Sequence, residues 1–410
     1  MNSFSNSQEL LQQAASCDAW AANRVENYSQ IEGAYPFYAS HAKGAYLWDV
    51  DGNRYIDYML GYGTVVLGHA DDRVTRAVVQ ELEKGNNVSP LWKSTQIELT
   101  KLLTTVIPKA EMAFLMKTGS DATSGALRLA RVFTGRDKVV RWGYNGWHDW
   151  ASPRPLGVPI SIQKDSLKFR YNDTASLRAV FETYPEQIAC VIMMPFELEK
   201  PKCSFLEKVR SIAHEYGALF VLDEMRSGFR LALGGAQEYF NIQADLATYS
   251  KAMSNGHPIS TIVGRADVLS GIGCTKMTST FFGNSAEMAA AITTIKVLQE
   301  TSAIADIWAM GKLFEQGIKD LINEYSVPAE FVGYPPFPFV QFTLTDEIKN
   351  EQAKTAFYAE TTRRGAFFHP NHHWYISAAH CEEDIYTTLE ICRKGFMAVQ
   401  QSSELRQNKM

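Results

Sequence analysis

Apolar residues in the middle of the chain come in unbroken runs rather than in alternation, the pattern of strands buried on both faces. Gly217-Ala218-Leu219-Phe220-Val221-Leu222 is one such run, closed by Asp223. Asp245-Leu246-Ala247-Thr248-Tyr249-Ser250 is a second, with Lys251 at its end and the turn residues Ser254-Asn255-Gly256 beyond it. Similar runs predict strands over 111–116, 138–142, 188–194 and 260–264. Between them apolar positions recur at helical spacing, predicting helices over 74–84, 95–106, 123–133 and 205–216 and another starting at Glu287. Strands alternating with helices predict an α/β fold with a mainly parallel sheet sandwiched by helices.

The two ends of the chain are patterned differently. Residues 1 to about 30 read as a polar, partly helical arm, and two strand-like runs then flank Asp51-Gly52-Asn53, a hairpin signal. A long helical stretch over 303–325 is followed by a strand over 337–344, a helix over 349–364, a strand over 374–379 and a closing helix over 382–400, an α+β layer. The expected division is an N-terminal arm and hairpin, 1–70, belonging to a small domain; a large domain, 71–302; and the C-terminal part of the small domain, 303–410.

Composition narrows the class. With 410 residues, 46% hydrophobic and 21% charged, the chain has room for one large and one smaller domain. A net charge of −5 without basic clusters argues against nucleic acid or an anionic membrane as partner. No apolar run approaches the roughly 20 residues of a membrane span. The opening residues lack the basic and apolar regions of a signal peptide, so the expected compartment is the cytoplasm. The six cysteines show no CxxC spacing and read as reduced thiols.

Ligands of open α/β sheets bind beyond the carboxyl ends of strands, and here an acid and an amine, Asp223 and Lys251, are delivered there. Taken singly, such a Lys also reads as a solvated charge and such an Asp as a cap. Together they suit pyridoxal 5'-phosphate, whose aldehyde needs a Lys amine for a Schiff base, whose ring nitrogen stays protonated beside a carboxylate, and whose phosphate needs amide donors. Thr118-Gly119-Ser120 turns from a strand into a helix N-terminus and offers such donors, although an ordinary N-cap would look the same. In the loop 143–149, Tyr144 can stack on a flat ring or serve as ordinary loop core. His369, His372, His373 and His380 lack the spacing of a closed zinc site, so no metal is expected. No GxGxxG follows a strand and no GxxxxGK[ST] occurs, which disfavours a dinucleotide enzyme.

Asp223-Glu224-Met225-Arg226-Ser227-Gly228-Phe229-Arg230, Ser250-Lys251, Asn255-Gly256-His257-Pro258 and Gly264-Arg265 resemble the core signature of class III aminotransferases, in particular the glutamate-1-semialdehyde 2,1-aminomutase branch. The resemblance implies a fold-type-I PLP-dependent transferase with Lys251 as Schiff-base partner and proton carrier and Asp223 at the pyridine nitrogen. It further implies Thr118, Gly119 and Ser120 at the phosphate, Tyr144 on one ring face and Met225 on the other. Thr280 would reach the cofactor of a neighbouring subunit, which implies a homodimer with a shared active site; by itself Thr280 is an ordinary loop hydroxyl. Asn145 stands where the family commonly has His. The aminomutase carries an Arg two residues after a Pro in its N-terminal arm, whereas Pro36 is followed here by Phe37 and Tyr38, which lack the bidentate fork for a carboxylate. Tyr38, Tyr62 and Asn145 are the expected substrate contacts. The activity implied is transfer of an amino group from a small-molecule amino-acid donor to an aldehyde or ketone acceptor of the oxidised-sugar or aminoglycoside-intermediate kind. Glutamate-1-semialdehyde aminomutation and PLP-dependent epimerisation or racemisation are the alternatives. A non-catalytic relative would be expected to have lost Lys251.

Overall fold

The computed structural model describes residues 4–23, 31 and 33–407. The chain divides into two compact units, Met1–Asp71 with Ala305–Met410, and Asp72–Ile304. In the first, short helices Ser5–Ala14 and Ala19–Asn23 precede strands β1 (Ala39–Lys43), β2 (Tyr46–Asp49) and β3 (Arg54–Asp57). The β2–β3 turn is tied by the Asp49 carboxylate, which accepts from the N–H groups of Asp51 (3.0 Å) and Asn53 (2.8 Å) and from the Tyr55 hydroxyl (2.9 Å).

The second unit holds β4 (Met112–Met116), β5 (Lys138–Trp142), β6 (Ser166–Lys168), β7 (Ile188–Met193), β8 (Leu219–Asp223), β9 (Leu246–Tyr249) and β10 (Ser260–Gly264). They form one seven-stranded sheet in the order β4-β10-β9-β8-β7-β5-β6. β10 runs antiparallel to both neighbours, and the pairs from β9 through β6 are all parallel. Every residue of β7, β8, β9 and β10 is buried, which is why these segments read as continuous apolar runs. The helix Gly119–Thr134 packs on β7, β9 and β10 with Ala122, Ala126, Leu127, Leu129 and Ala130 inward. Truncating Leu127, fully buried, to Ala would cost about 2–5 kcal/mol. Helix Phe205–Glu215 packs on β7 and β8 through Leu206, Val209, Ile212 and Ala213, the face expected from its spacing.

After helix Ala303–Glu324, the first unit resumes with the antiparallel pair β11 (Ala329–Tyr334) and β12 (Phe337–Phe342), helix Glu347–Arg363, β13 (Ala366–Phe367) and helix Glu382–Gln407. β13 joins β3 in parallel, completing a sheet ordered β1-β2-β3-β13. Its core is aromatic: Phe368 stacks on Trp374 with ring centroids 4.0 Å apart, and Tyr58 lies over Phe314 and Phe368.

The segment 374–379 is not the strand its apolar run predicts. Trp374, Tyr375 and Ile376 donate single N–H bonds to the carbonyls of Pro338, Tyr58 and Pro336, three separate partners with no ladder, and all three side chains are fully buried. Packing, not pairing, fixes that stretch, and the sheet takes the two-residue β13 instead. β1, β6 and β11 go beyond the predicted strands; β6 is only three residues long, and β1 is mostly exposed and so carries no apolar pattern. No helix among the described residues is long and apolar enough to cross a membrane.

Candidate active site

Three segments meet at the carboxyl edge of the central strands. Asp223 ends β8 and is 1% exposed. Its Oδ2 accepts from the Asn145 side-chain amide (2.8 Å) and its Oδ1 from the Met225 N–H (3.1 Å). Desolvation is the largest influence and raises its pKa above the usual carboxylate range, against those two hydrogen bonds and the nearby charges of Lys251 and Arg226. Both direct donors are neutral, so this buried anion is incompletely compensated and suits a cationic N–H.

Lys251 follows β9 and opens a short 3-10 turn, Lys251–Ser254. Its φ of 45° lies in the left-handed region, strain of the kind that clusters at functional positions. Desolvation brings its amine down to about 8, with Arg226 and Arg230 pushing the same way and Asp223 opposing. About a tenth of such an amine is neutral at pH 7, against well under a thousandth of an ordinary lysine, and that fraction can act as nucleophile or base.

The phosphate-type turn lies between β4 and the helix Gly119–Thr134. Thr118 and Asp121 form a capping box: the Thr118 Oγ1 accepts from the Asp121 N–H (3.2 Å), and the Asp121 Oδ2 accepts from the Thr118 N–H (2.8 Å). The box starts the helix at Gly119, earlier than the 123 expected from apolar spacing. It occupies the Thr118 hydroxyl within the turn and leaves Gly119 and Ser120 as the leading N–H donors at the positive end of the helix dipole. A Cβ at Gly119 would come within 2.9 Å of the Met225 Sδ, so Met225 lies directly against this turn. The Ser120 Oγ accepts from the Trp147 N–H (3.3 Å), binding the 143–149 loop to the same place. Tyr144 in that loop is 54% exposed.

The Asn145 side-chain amide donates to Asp223, a carboxylate buried deeply enough to require a donor. The Asn145 Oδ1 is buried with no hydrogen-bond partner among the described residues. Thr280 is exposed, and its carbonyl accepts from the Asn87 side chain (2.7 Å). Tyr38 and Tyr62 belong to the other unit. There the Tyr38 N–H donates to the Ser7 Oγ (3.2 Å), and the Tyr62 ring sits 5.2 Å from His372 and 6.2 Å from His369. Leu60, Gly61, Tyr62 and Gly63 all have positive φ, and a Cβ at Gly63 would strike the Tyr375 ring at 2.4 Å. Among the described residues no group of His, Cys, Asp and Glu could hold a metal ion.

Two residues of the signature stretch escaped the sequence reading as site members. Glu224 is fully buried and raised to about 7, mainly by desolvation; it accepts from the Ser227 hydroxyl and from the N–H groups of Ala236 and Gln237, pinning the loop that follows Asp223. Arg226 is 9% exposed, and its charge acts on both Asp223 and Lys251. Its presence in the signature was the only available signal, since an Arg in a turn ordinarily points to solvent.

This arrangement belongs to an enzyme of the PLP-dependent transferase class: a seven-stranded, mostly parallel sheet with a buried acid, a depressed amine and a helix N-terminus at one edge. The aminotransferase class-III family model matches residues 28–150 and 154–377, so the chain belongs to that family, whose members use pyridoxal phosphate. It is similar to the 3-aminobutyryl-CoA aminotransferase of Cloacimonas acidaminovorans, 37% identical over 379 residues and covering 91% of this chain and 92% of the relative. It is also similar to the glutamate-1-semialdehyde 2,1-aminomutase of Francisella philomiragia, 31% identical over 95% of this chain and 98% of the relative. The solved structure of the PLP internal aldimine form of the FumI protein of Sphingopyxis sp. MTA144 superposes with a TM-score of 0.91 at 28% identity, over 97% of each chain. The omega-transaminase of Sphaerobacter thermophilus, 22% identical with a TM-score of 0.88, shares the fold. The residues present fit the cofactor: an undercompensated buried carboxylate for the ring nitrogen, a poised amine for the aldehyde and uncapped amides for the phosphate.

Proposed function

We propose that this class III aminotransferase moves an amino group from an amino-acid donor to an aldehyde or ketone acceptor that carries no free carboxylate. The observation that carries this reading is the pairing of Asp223 and Lys251 with Pro36-Phe37-Tyr38, where no guanidinium follows the proline. Bound pyridoxal phosphate supplies the exchangeable aldehyde and the electron sink. Lys251 would hold the cofactor through its aldehyde, and its Nζ, once free, would carry a proton to and from the reacting carbon of the substrate. Asp223, oriented by Asn145, would keep the proton on the ring nitrogen. The N–H groups of Gly119 and Ser120 would hold the phosphate, and Tyr144 and Met225 would pack against the ring. Tyr38, Tyr62 and the Oδ1 of Asn145 remain as candidate substrate contacts.

Two finer acceptor classes follow. The similarity to the 3-aminobutyryl-CoA aminotransferase favours a β-oxo acyl compound. Phe37 and Tyr38 in place of a carboxylate clamp favour an oxidised sugar or aminoglycoside-type intermediate. Aminomutation is supported by the 31% relative but lacks that arginine. The working form we propose is a homodimer in the cytoplasm, with Thr280 entering the neighbouring active site. Exposed Leu91 (75%), Trp92 (66%) and Phe281 (58%) support such an association, and six free cysteines support a reducing compartment. Purified protein would be followed by cofactor absorbance with L-glutamate, L-glutamine or L-alanine, then with acetoacetyl-CoA, oxo-sugars and glutamate 1-semialdehyde. Donor bleaching reversed by a β-oxo or sugar carbonyl is the expected result. No spectral response to any donor, with pyridoxal phosphate added, would discard amino transfer, and preferential turnover of glutamate 1-semialdehyde would replace it with the aminomutase reading.

A further inference from the structure

Arg226 is a buried cation without adequate anionic company. It is 9% exposed, its Nε and Nη1 have no hydrogen-bond partner among the described residues, and its ion-pair partner there, Glu197 Oε1, lies 3.7 Å from Nη1, beyond hydrogen-bond range. Glu197 is itself 47% exposed and so a weakly held counter-ion. Leaving a guanidinium's donors unmet in a site this enclosed is costly unless an anion arrives.

The surroundings say which anion. Arg226 lies three residues beyond Asp223 in the loop that leaves β8, and Met225, just before it, is pressed against the Gly119 turn. On the proposed reading the N–H groups of Gly119 and Ser120, beside Met225, take the cofactor phosphate, so Arg226 is not needed for it. Arg226 instead acts electrostatically on Asp223 and Lys251, the two groups that bracket the reacting end of the site. An α-amino-acid donor must place its amine at Lys251 and thereby brings a carboxylate one carbon away. Among the expected substrate contacts, Tyr38, Tyr62 and Asn145, no side chain carries a positive charge to receive it.

We propose that Arg226 is a specificity-determining residue that binds the carboxylate of the amino donor beside Lys251, with Glu197 its loose partner when no donor is present. This rests on the amino-transfer reading, which it refines by assigning the donor class: α-amino acids rather than simple amines. Planar carboxylate recognition by a guanidinium explains why Arg stands here, and a point-charge ammonium would replace it only in part.

The test uses the cofactor-loaded protein and its Arg226→Gln and Arg226→Lys variants. For L-glutamate and L-alanine, Arg226→Gln is expected to raise KM about 10- to 100-fold with a much smaller change in kcat, and Arg226→Lys to recover part of the loss. Isopropylamine, a donor without a carboxylate, should lose far less than L-glutamate or L-alanine in Arg226→Gln, the remaining loss reflecting the charge that Arg226 exerts on Asp223 and Lys251. In an arm independent of turnover, succinate should perturb the cofactor absorbance of wild type and Arg226→Lys, and bind Arg226→Gln about tenfold or more weakly. Unchanged donor KM and succinate affinity in Arg226→Gln would overturn the proposal. So would an equal loss on carboxylate-bearing and carboxylate-free donors accompanied by weaker cofactor retention, which would assign the guanidinium to the cofactor. If wild type transfers from no donor, amino transfer itself falls, and succinate binding still decides whether Arg226 is a carboxylate site.

Discussion

Asp245 and Asp223 are both buried aspartates of the central strands, one residue before β9 and at the end of β8, on opposite edges of the sheet. Asp245 is saturated. Its Oδ2 accepts from the Phe220 N–H (2.8 Å) and pairs with the His214 Nε2 (2.7 Å), while Oδ1 pairs with Arg265 (2.9 Å). Burial is the largest single influence and pushes its pKa up, yet the combined donors carry it below the usual range. Asp223 accepts only from an amide side chain and one backbone N–H, and there burial wins. The same side chain in the same sheet is structural where its hydrogen-bond capacity is used up and chemical where capacity is left over. Asp57 in the other unit repeats the saturated pattern, with the N–H groups of Met59 (2.7 Å) and Leu60 (3.1 Å) and His69 (2.7 Å) as partners.

Four experiments press on that contrast. The largest effect should come from Lys251→Ala, which removes the amine facing Asp223: amino transfer should fall by about 10³-fold or more in single-turnover assays, with the fold intact by circular dichroism. Retained turnover would mean that the carboxyl edge is not the reacting edge.

Exchanging the two aspartates in turn separates their roles. Asp223→Asn should cut turnover about 10²- to 10³-fold with little change in unfolding midpoint. Asp245→Asn should lose about 2–3 kcal/mol in denaturant titration while kcat stays within a few-fold. The opposite assignment of losses would abolish the distinction.

The apo-protein should show the burial of Lys251 as a pH effect. Its folded value, about 8, lies below its ordinary 10.5, so between those values the unfolded chain binds more protons and stability rises with pH. The penalty is full below about pH 8, on the order of 3 kcal/mol, and fades toward 10.5. Lys251→Met should therefore be more stable than wild type at pH 7, with the two urea midpoints converging as the pH is raised to 10. Parallel curves would place the amine in water.

The smallest effect belongs to the turn opposite Asp223. Thr118→Val breaks the capping box and should cost about 1 kcal/mol in urea unfolding. A loss of several kcal/mol would mean that the turn does more than start a helix.

Much of this molecule could be read from its residues. The 138–142 and 260–264 strands coincide with β5 and β10, because continuous apolar runs bounded by charge or glycine have few other uses. Lys251 and Asp223 were legible as ends of such runs, and the family followed from the words around them. Less legible was anything set by partners far along the chain. Asn145 stands 78 positions before Asp223 and carries no local sign that it would serve it. The 374–379 run looked like a strand because apolar content does not distinguish a ladder from a stack of aromatic rings.

What the sequence alone determined was the alternation of buried strands and helices that marks the α/β class, and the acid and amine at two strand ends, since these depend on local periodicity and on residue types with few substitutes. Which strands run antiparallel, which aspartate keeps spare hydrogen-bond capacity and which arginine is buried with only a loosely held, half-exposed counter-ion were decided only by the tertiary structure. Burial and hydrogen-bond satisfaction are properties of the space between distant segments, and a spacing rule along one segment does not contain them.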